Sequence, residues 1–136
     1  MATMTASAIG SCDSLCYQTD VNGRHVLVTD EPEAIGGTDL GPAPHELLPA
    51  ALASCVATML SRYAKRRGMH IGDIRVDVDY DTDAVPRIFD LTVCLPETVP
   101  DDQLMRLRQV VQTCPAKQAF EAGFEVHENV EMPALD

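Results

Sequence analysis

The sequence has 136 residues, 46% of them hydrophobic and 23% charged, with a formal net charge of -11. A chain of this length suits one domain, and we predict a single domain over residues 1–136. So acidic a surface repels phosphate backbones and anionic lipids, which excludes nucleic acid and membranes as expected partners. In addition, no apolar run approaches the roughly 20 residues of a membrane span.

The N-terminal residues 1–11, MATMTASAIGS, contain no basic residue and make a poor signal peptide. We expect them to be a disordered lead-in and the protein to be cytoplasmic. The cysteines support a reducing compartment, because an odd number at irregular spacing does not fit a secreted disulfide framework. They are Cys12, Cys16, Cys55, Cys94 and Cys114.

Residues 14–31 have the pattern of a β-hairpin, with a turn at Asn22-Gly23 between β-prone runs. A loop rich in glycine and proline follows over residues 32–44. The pattern is then helical from Pro44 to about residue 67, with Gly68 placed to cap the C-terminus. Between residues 47 and 60 every face of this helix is apolar or small, so we expect it to be buried all round, with help from a second subunit.

The second half of the chain predicts two strands, two helices and a final strand. Residues 74–81 and 88–95 alternate apolar and polar side chains, as in a half-buried antiparallel pair. Residues 101–113 form an amphipathic pattern, and a short helix can begin at Pro115. Residues 124–130 have the pattern of a closing strand. The order ββ-α-ββ-α-β predicts an α+β fold in which an antiparallel sheet packs on a central helix.

Two of the cysteines are candidates for chemistry. Cys55 lies within the apolar helix, where a small core side chain is the simpler interpretation. Cys114 precedes Pro115, so its thiol stands at the cap of a helix, where backbone N–H groups and the helix dipole favour a thiolate. Both side chains point inward, and they could approach to disulfide distance.

The segments GGTDLGPAPHELLPAALASC and QTCPAKQAF resemble the OsmC/Ohr superfamily of osmotically inducible and organic hydroperoxide resistance proteins, and the match extends over roughly residues 24–130. The resemblance implies an OsmC-like fold in an intertwined homodimer. It also implies that Cys55 attacks a hydroperoxide and becomes a sulfenic acid, that Cys114 resolves it to a disulfide, and that a dithiol reductant resets the pair. No cofactor and no metal ion are expected.

The chain departs from the family pattern near the start of the helix. In family peroxidases a Glu follows the Pro that opens the helix, and it pairs with an Arg that stabilises the thiolate. Here His45 follows Pro44, Glu46 comes one residue late, and the hairpin offers only Arg24. The chain therefore resembles a divergent OsmC-like branch. His45, Glu46 and Arg24 are possible supporting residues, and His45 can act as a base or as a cation.

Two functions from different classes fit these residues. The first is a thiol-dependent peroxidase that reduces organic hydroperoxides in oxidative-stress defence. The second is a non-catalytic or low-turnover dimeric protein that binds small molecules and keeps the same fold. A zinc site at Cys12, Cys16 and His25 is disfavoured, because no tight second ligand pair accompanies them. Cys94 lies on the polar face of its strand and is expected to be a bystander.

Overall fold

The computed structural model describes residues 3–132, which form an α+β fold with antiparallel sheets, as the sequence predicted. The chain divides into two compact units, one with the residues up to Ala51 and Val78–Asp90, the other with Leu52–Asp77 and the residues from Leu91 onward. The strands are β1 (Ala6–Ile9), β2 (Tyr17–Val21), β3 (His25–Thr29), β4 (Arg75–Asp81) and β5 (Ile88–Cys94). The helices are α1 (Leu47–Arg66), α2 (Asp101–Gln112) and α3 (Pro115–Ala122).

The predicted hairpin is confirmed as β2 and β3, which pair antiparallel from Tyr17 opposite Thr29 to Val21 opposite His25. Asn22 and Gly23 both have positive φ, 55° and 67°, as a type I′ turn requires. The Asp20 carboxylate accepts the Gly23 N–H at 2.8 Å and fixes the turn.

The expectation of a disordered lead-in over residues 1–11 is wrong for Ala6–Ile9, which form strand β1, and residues 1–2 lie outside the described residues. This strand pairs antiparallel with β2, from Ala6 opposite Val21 to Ile9 opposite Gln18. All four of its side chains are exposed, so it contributes no apolar face that a sequence pattern could show. Its stability comes from backbone hydrogen bonds to the open edge of β2, which any extended segment can make.

Asp30 organises the loop that leads from β3 to the first helix. Its side chain is only 1% exposed and accepts hydrogen bonds from the Thr38 hydroxyl at 2.6 Å and from the Leu40 N–H at 3.2 Å. The Thr38 hydrogen bond is the main reason that the pKa of Asp30 lies below its ordinary value. At Gly37 a Cβ atom would collide with the Glu31 carbonyl, so only glycine fits this close approach. The loop is therefore an ordered connection.

A 3₁₀ turn at Pro44–Glu46 leads into α1, which ends as predicted. Gly68 has φ 65°, and the Met69 N–H donates to the Ala64 carbonyl at 2.9 Å, which is the main bond of a Schellman cap. In this single chain α1 is buried on one side only, so its burial all round with the help of a second subunit stays a prediction. One stripe of residues, spaced four positions apart along α1, is buried. The other faces of the helix are partly or fully exposed, because one copy of the chain covers only that stripe. The buried residues are Leu52, Val56, Leu60 and Ala64.

The described residues contain one helix with the length and composition of a membrane span. The stretch Pro44–Arg66 is long and apolar enough to cross a membrane by length and composition alone. The core helix of a soluble protein passes the same test, so this property does not decide between the two.

Beyond α1, the strands β4 and β5 and the helices α2 and α3 are confirmed close to their predicted bounds. The closing strand predicted over residues 124–130 is wrong, since the described chain has no strand there. Phe124 and Val126 are 71% and 82% exposed. The alternation of apolar residues is present, but a strand also needs a neighbour to pair with, and no partner strand is provided in residues 3–132.

Candidate active site

The structure brings Cys55 and Cys114 together within the second unit. The two sulfur atoms lie 3.2 Å apart, within hydrogen-bond distance, although 59 residues separate them in sequence. Both residues are free thiols. Cys55 lies on α1 beside the buried Val56, and Cys114 lies between the end of α2 and the start of α3. The pair therefore needs little movement to form a disulfide.

The two thiols differ in exposure. Cys114 is 0% exposed, whereas Cys55 is half-buried. Cys114 is also held by its backbone, because its N–H donates to the Val111 carbonyl at 3.2 Å and its carbonyl accepts the Gln118 N–H at 3.0 Å. A small molecule that arrives from solvent can therefore reach the Cys55 sulfur more readily than the Cys114 sulfur.

Burial is the largest influence on the Cys55 thiol and raises its pKa above the ordinary value. The neighbouring Cys114 raises the pKa of Cys55 further, through its hydrogen bond and through its charge when it ionises. The backbone N–H of Ala116 acts in the opposite direction, since it donates to the Cys55 sulfur and favours the thiolate. Among the described residues no cation contributes to this pKa. The surroundings of Cys55 therefore favour the protonated thiol.

His45 and Glu46 both have partners within the first unit. His45 Nε2 and the Tyr80 hydroxyl are 2.9 Å apart, and the two rings meet edge to face with centroids 5.2 Å apart. Arg87 donates to the same hydroxyl at 3.4 Å. The Glu46 carboxylate accepts the Ala43 N–H at 2.8 Å, which caps the start of the helix. Tyr80 was not foreseen as a partner for His45; its only sequence signal was its place on the inward face of β4.

The remaining candidate residues have exposed or partly exposed side chains. Arg24 is exposed just after the hairpin turn, where its N–H donates to the Val21 carbonyl. Cys12 and Cys94 are exposed, and Cys16 is partly exposed. Within residues 3–132 no three His, Cys, Asp or Glu side chains are grouped as a metal ion would require.

The second unit also contains an apolar cavity of about 350 Å³. Its walls come from β5 and from the helices α1 and α2, with one cationic and one amide side chain among otherwise aliphatic ones. Small apolar molecules are the ligands that such a lining suits. The lining residues are Leu60, Leu91, Val93, Leu95, Leu104, Leu107, Arg108, Val111 and Gln112.

The protein has an α+β fold with two free thiols in hydrogen-bond contact, and one of these thiols lies at a helix N-terminus. These features define the class of the protein as a dithiol protein. Residues 37–129, more than half of the chain, match the family model described as OsmC-like protein. The chain belongs to this OsmC-like family, which confirms the resemblance drawn from its two cysteine motifs. No protein of curated function matches the sequence.

Solved structures show the same fold at low sequence identity, as expected of a divergent branch. The OsmC-like protein from Mycoplasma pneumoniae is 16% identical, with a TM-score of 0.68 over 88% of each chain. The organic hydroperoxide resistance protein OsmC from Legionella pneumophila is 19% identical, with a TM-score of 0.57 over 87% of this chain and 88% of that chain. The organic hydroperoxide resistance protein OhrB of Bacillus subtilis is 22% identical, with a TM-score of 0.51 over 86% of this chain and 90% of that chain.

Proposed function

We propose that this protein is a thiol-dependent peroxidase that reduces organic hydroperoxides in oxidative-stress defence. The observation that carries the proposal is the 3.2 Å contact between the sulfurs of a half-buried Cys55 and a fully buried Cys114. Structural relatives named organic hydroperoxide resistance proteins support the same chemistry. The difference in exposure supports Cys55 as the peroxidatic thiol and Cys114 as the resolving thiol.

The first step oxidises Cys55 by two electrons. Its thiolate attacks the terminal oxygen of the hydroperoxide, an S–O bond forms, and the O–O bond breaks. The leaving alkoxide takes up the proton that the thiol released on ionising and becomes an alcohol. Cys55 is left as a sulfenic acid.

The second step uses Cys114. Its thiol attacks the sulfenic sulfur, a disulfide forms, and the hydroxyl group leaves with the Cys114 proton as water. A cellular dithiol then reduces the disulfide by exchange and is itself oxidised to a disulfide. Neither step needs a metal ion or an organic cofactor. Burial near the apolar side chains Val56 and Leu52 supports a preference for organic hydroperoxides over hydrogen peroxide.

We also propose that the protein is a cytoplasmic homodimer. One chain leaves apolar faces of α1 exposed, and this supports a dimer in which a second copy covers them. The acidic surface and the thiol-rich composition support a reducing cytoplasm, with neither nucleic acid nor a membrane as a partner.

The decisive experiment is consumption of tert-butyl hydroperoxide with dithiothreitol as the reductant. We expect Cys55→Ser to reduce the rate to that of the reductant alone. Cys94→Ser is the matched control, because Cys94 is an exposed thiol of the same unit, and its rate should equal that of the wild type. Equal rates for wild type and Cys55→Ser would falsify the peroxidase assignment.

A second function is favoured by a specific observation: the pKa of the Cys55 thiol is raised, and no cation among residues 3–132 lowers it. A protein in which the surroundings of Cys55 disfavour the thiolate fits a low-turnover binder of small apolar molecules. The cavity beside Leu60 and Leu107 would then be the binding site. Saturable binding of such molecules without peroxide consumption is the result that would select this function.

A further inference from the structure

The side chains of His45, Tyr80 and Arg87 form a polar cluster in the first unit. His45 Nε2 lies 2.9 Å from the Tyr80 hydroxyl oxygen, and the Arg87 guanidinium donates to the same oxygen at 3.4 Å. The 3₁₀ turn before α1, strand β4 and the residue before β5 each supply one member. Two basic side chains therefore meet at one phenol oxygen, in a chain whose formal net charge is -11.

The Arg87 guanidinium has no carboxylate partner among residues 3–132, where the ion pairs join other side chains. Arg87 is exposed, and its hydrogen bond to Tyr80 uses one of the five N–H donors of a guanidinium group. The remaining donors of this planar group are therefore open to a ligand that arrives from solvent.

The carboxylates nearest to the cluster in sequence are directed elsewhere. The Glu46 carboxylate accepts the Ala43 N–H at 2.8 Å and caps the start of the helix. Side chains alternate between the two faces of β4, so Asp79 and Asp81 lie on the face opposite to Tyr80. These carboxylates therefore leave the Arg87 donors unoccupied.

We infer that the cluster of His45, Tyr80 and Arg87 is a binding site for an organic carboxylate. A guanidinium group binds a carboxylate through two parallel N–H···O bonds, which its planar shape favours. The Tyr80 hydroxyl accepts from Arg87, so its own proton is left for an acceptor, and the His45 ring donates when it is protonated. This binding function adds to the proposed peroxidase function and does not depend on it.

Net charge and ring packing narrow the class of ligand. A net charge of -11 opposes ligands with several negative charges, so a singly charged carboxylate is favoured over a phosphate group. The Tyr80 and Phe89 rings pack with centroids 4.6 Å apart, and both residues are partly exposed. Their apolar surface beside the guanidinium suits a ligand with an aromatic body next to its carboxylate.

Titration of the full chain with sodium benzoate at constant ionic strength tests the inference, with benzamide as the matched uncharged ligand. The ¹H–¹³C NMR signals of the His45 ring report binding, and we expect them to shift saturably with benzoate and to stay constant with benzamide. Arg87→Gln should weaken benzoate binding about tenfold or more, because it removes a charge-assisted pair of hydrogen bonds. Arg24→Gln is the matched control, since Arg24 is an exposed arginine of the same unit, and its affinity should equal that of the wild type.

Three results would overturn the inference: no saturable shift in the wild type, equal shifts with benzamide, or an unchanged affinity in Arg87→Gln. Equal losses in Arg87→Gln and Arg24→Gln would also overturn it, because they would show only a general attraction between charges. Arg87→Lys keeps the test decisive if Arg87→Gln does not fold. It retains the positive charge but loses the planar pair of donors, so it too should weaken benzoate binding, and an affinity equal to the wild type would contradict the site.

Discussion

The sulfur of Cys114 lies 3.2 Å from the sulfur of Cys55, and only Cys55 is open to solvent. The solvent-accessible thiol of Cys55 therefore lies in contact with the buried thiol of Cys114. This contact predicts the first product of oxidation. One equivalent of an alkyl hydroperoxide should link Cys55 and Cys114 in an intrachain disulfide, because no large movement has to precede the bond. Peptide mapping checks this outcome; two free thiols, or a link between Cys12 and Cys16, would contradict it.

The raised pKa of Cys55 predicts the direction of the pH profile. The thiolate is the nucleophile, and burial with Cys114 holds the pKa above its ordinary value. The rate of Cys55 oxidation should therefore rise from pH 7 toward this pKa and level off above it. Stopped-flow oxidation by tert-butyl hydroperoxide measures the profile. A rate that is already constant at pH 7 would show that the thiol is ionised there.

The same shift predicts how stability depends on pH. The folded state holds the Cys55 proton more tightly than the unfolded state does. The resulting contribution to the free energy of unfolding is therefore complete at pH values below the unfolded pKa of Cys55. It is lost as pH rises through the folded pKa. Urea unfolding of the wild type should therefore show a decline at alkaline pH that is reduced in Cys55→Ser, and equal declines would contradict the expectation.

His45 provides a separate prediction, because its ring is hydrogen-bonded to the Tyr80 hydroxyl at 2.9 Å. We expect His45→Ala to leave the pH profile of Cys55 alkylation unchanged. Tyr80→Phe, which removes only the hydroxyl, is the companion variant and should behave in the same way. A shift of the profile to higher pH in His45→Ala would instead establish the imidazole as a partner of the thiolate.

Leu60 is 0% exposed and lies on the buried stripe of α1, so we predict that truncating its side chain has a large effect on stability. Leu60→Ala should lower the free energy of unfolding by about 2–5 kcal/mol, since it removes buried methyl groups and leaves a cavity. Met105→Ala is the control, because Met105 is 63% exposed, and its change should remain within about 0.5 kcal/mol. Urea unfolding of the three proteins compares these values, and equal losses would contradict the assigned core.

The exposed apolar residues predict a dimer in solution. Val85 is 97% exposed and Val126 is 82% exposed, and most faces of α1 are uncovered in one chain. Apolar surface of this kind is favourably buried against a second copy. Light scattering at micromolar concentration should give twice the 14.8 kDa mass of one chain. A stable monomer would contradict this prediction.

Local patterns in the sequence were sufficient for most of the secondary structure. Asn22-Gly23 determined the hairpin because both positions must adopt positive φ, and Gly68 ended α1 for the same reason. Alternation predicted β4 and β5, and the position of Cys114 before Pro115 predicted the cap of α3. Each of these signals involves residues close together in the chain, so the sequence alone determines them.

Pairing and burial depended on the tertiary structure. Ala6–Ile9 became a strand because an edge of β2 was available, whereas residues 124–130 lacked a partner within the described chain. The contact of His45 with Tyr80 joins residues 35 positions apart, and no local pattern specifies it. The sequence identified Cys55 and Cys114 as candidates, but packing decided that their sulfurs meet and that only Cys55 is reachable. Contacts between distant residues depend on how the whole chain packs, which a pattern of neighbouring residues does not contain.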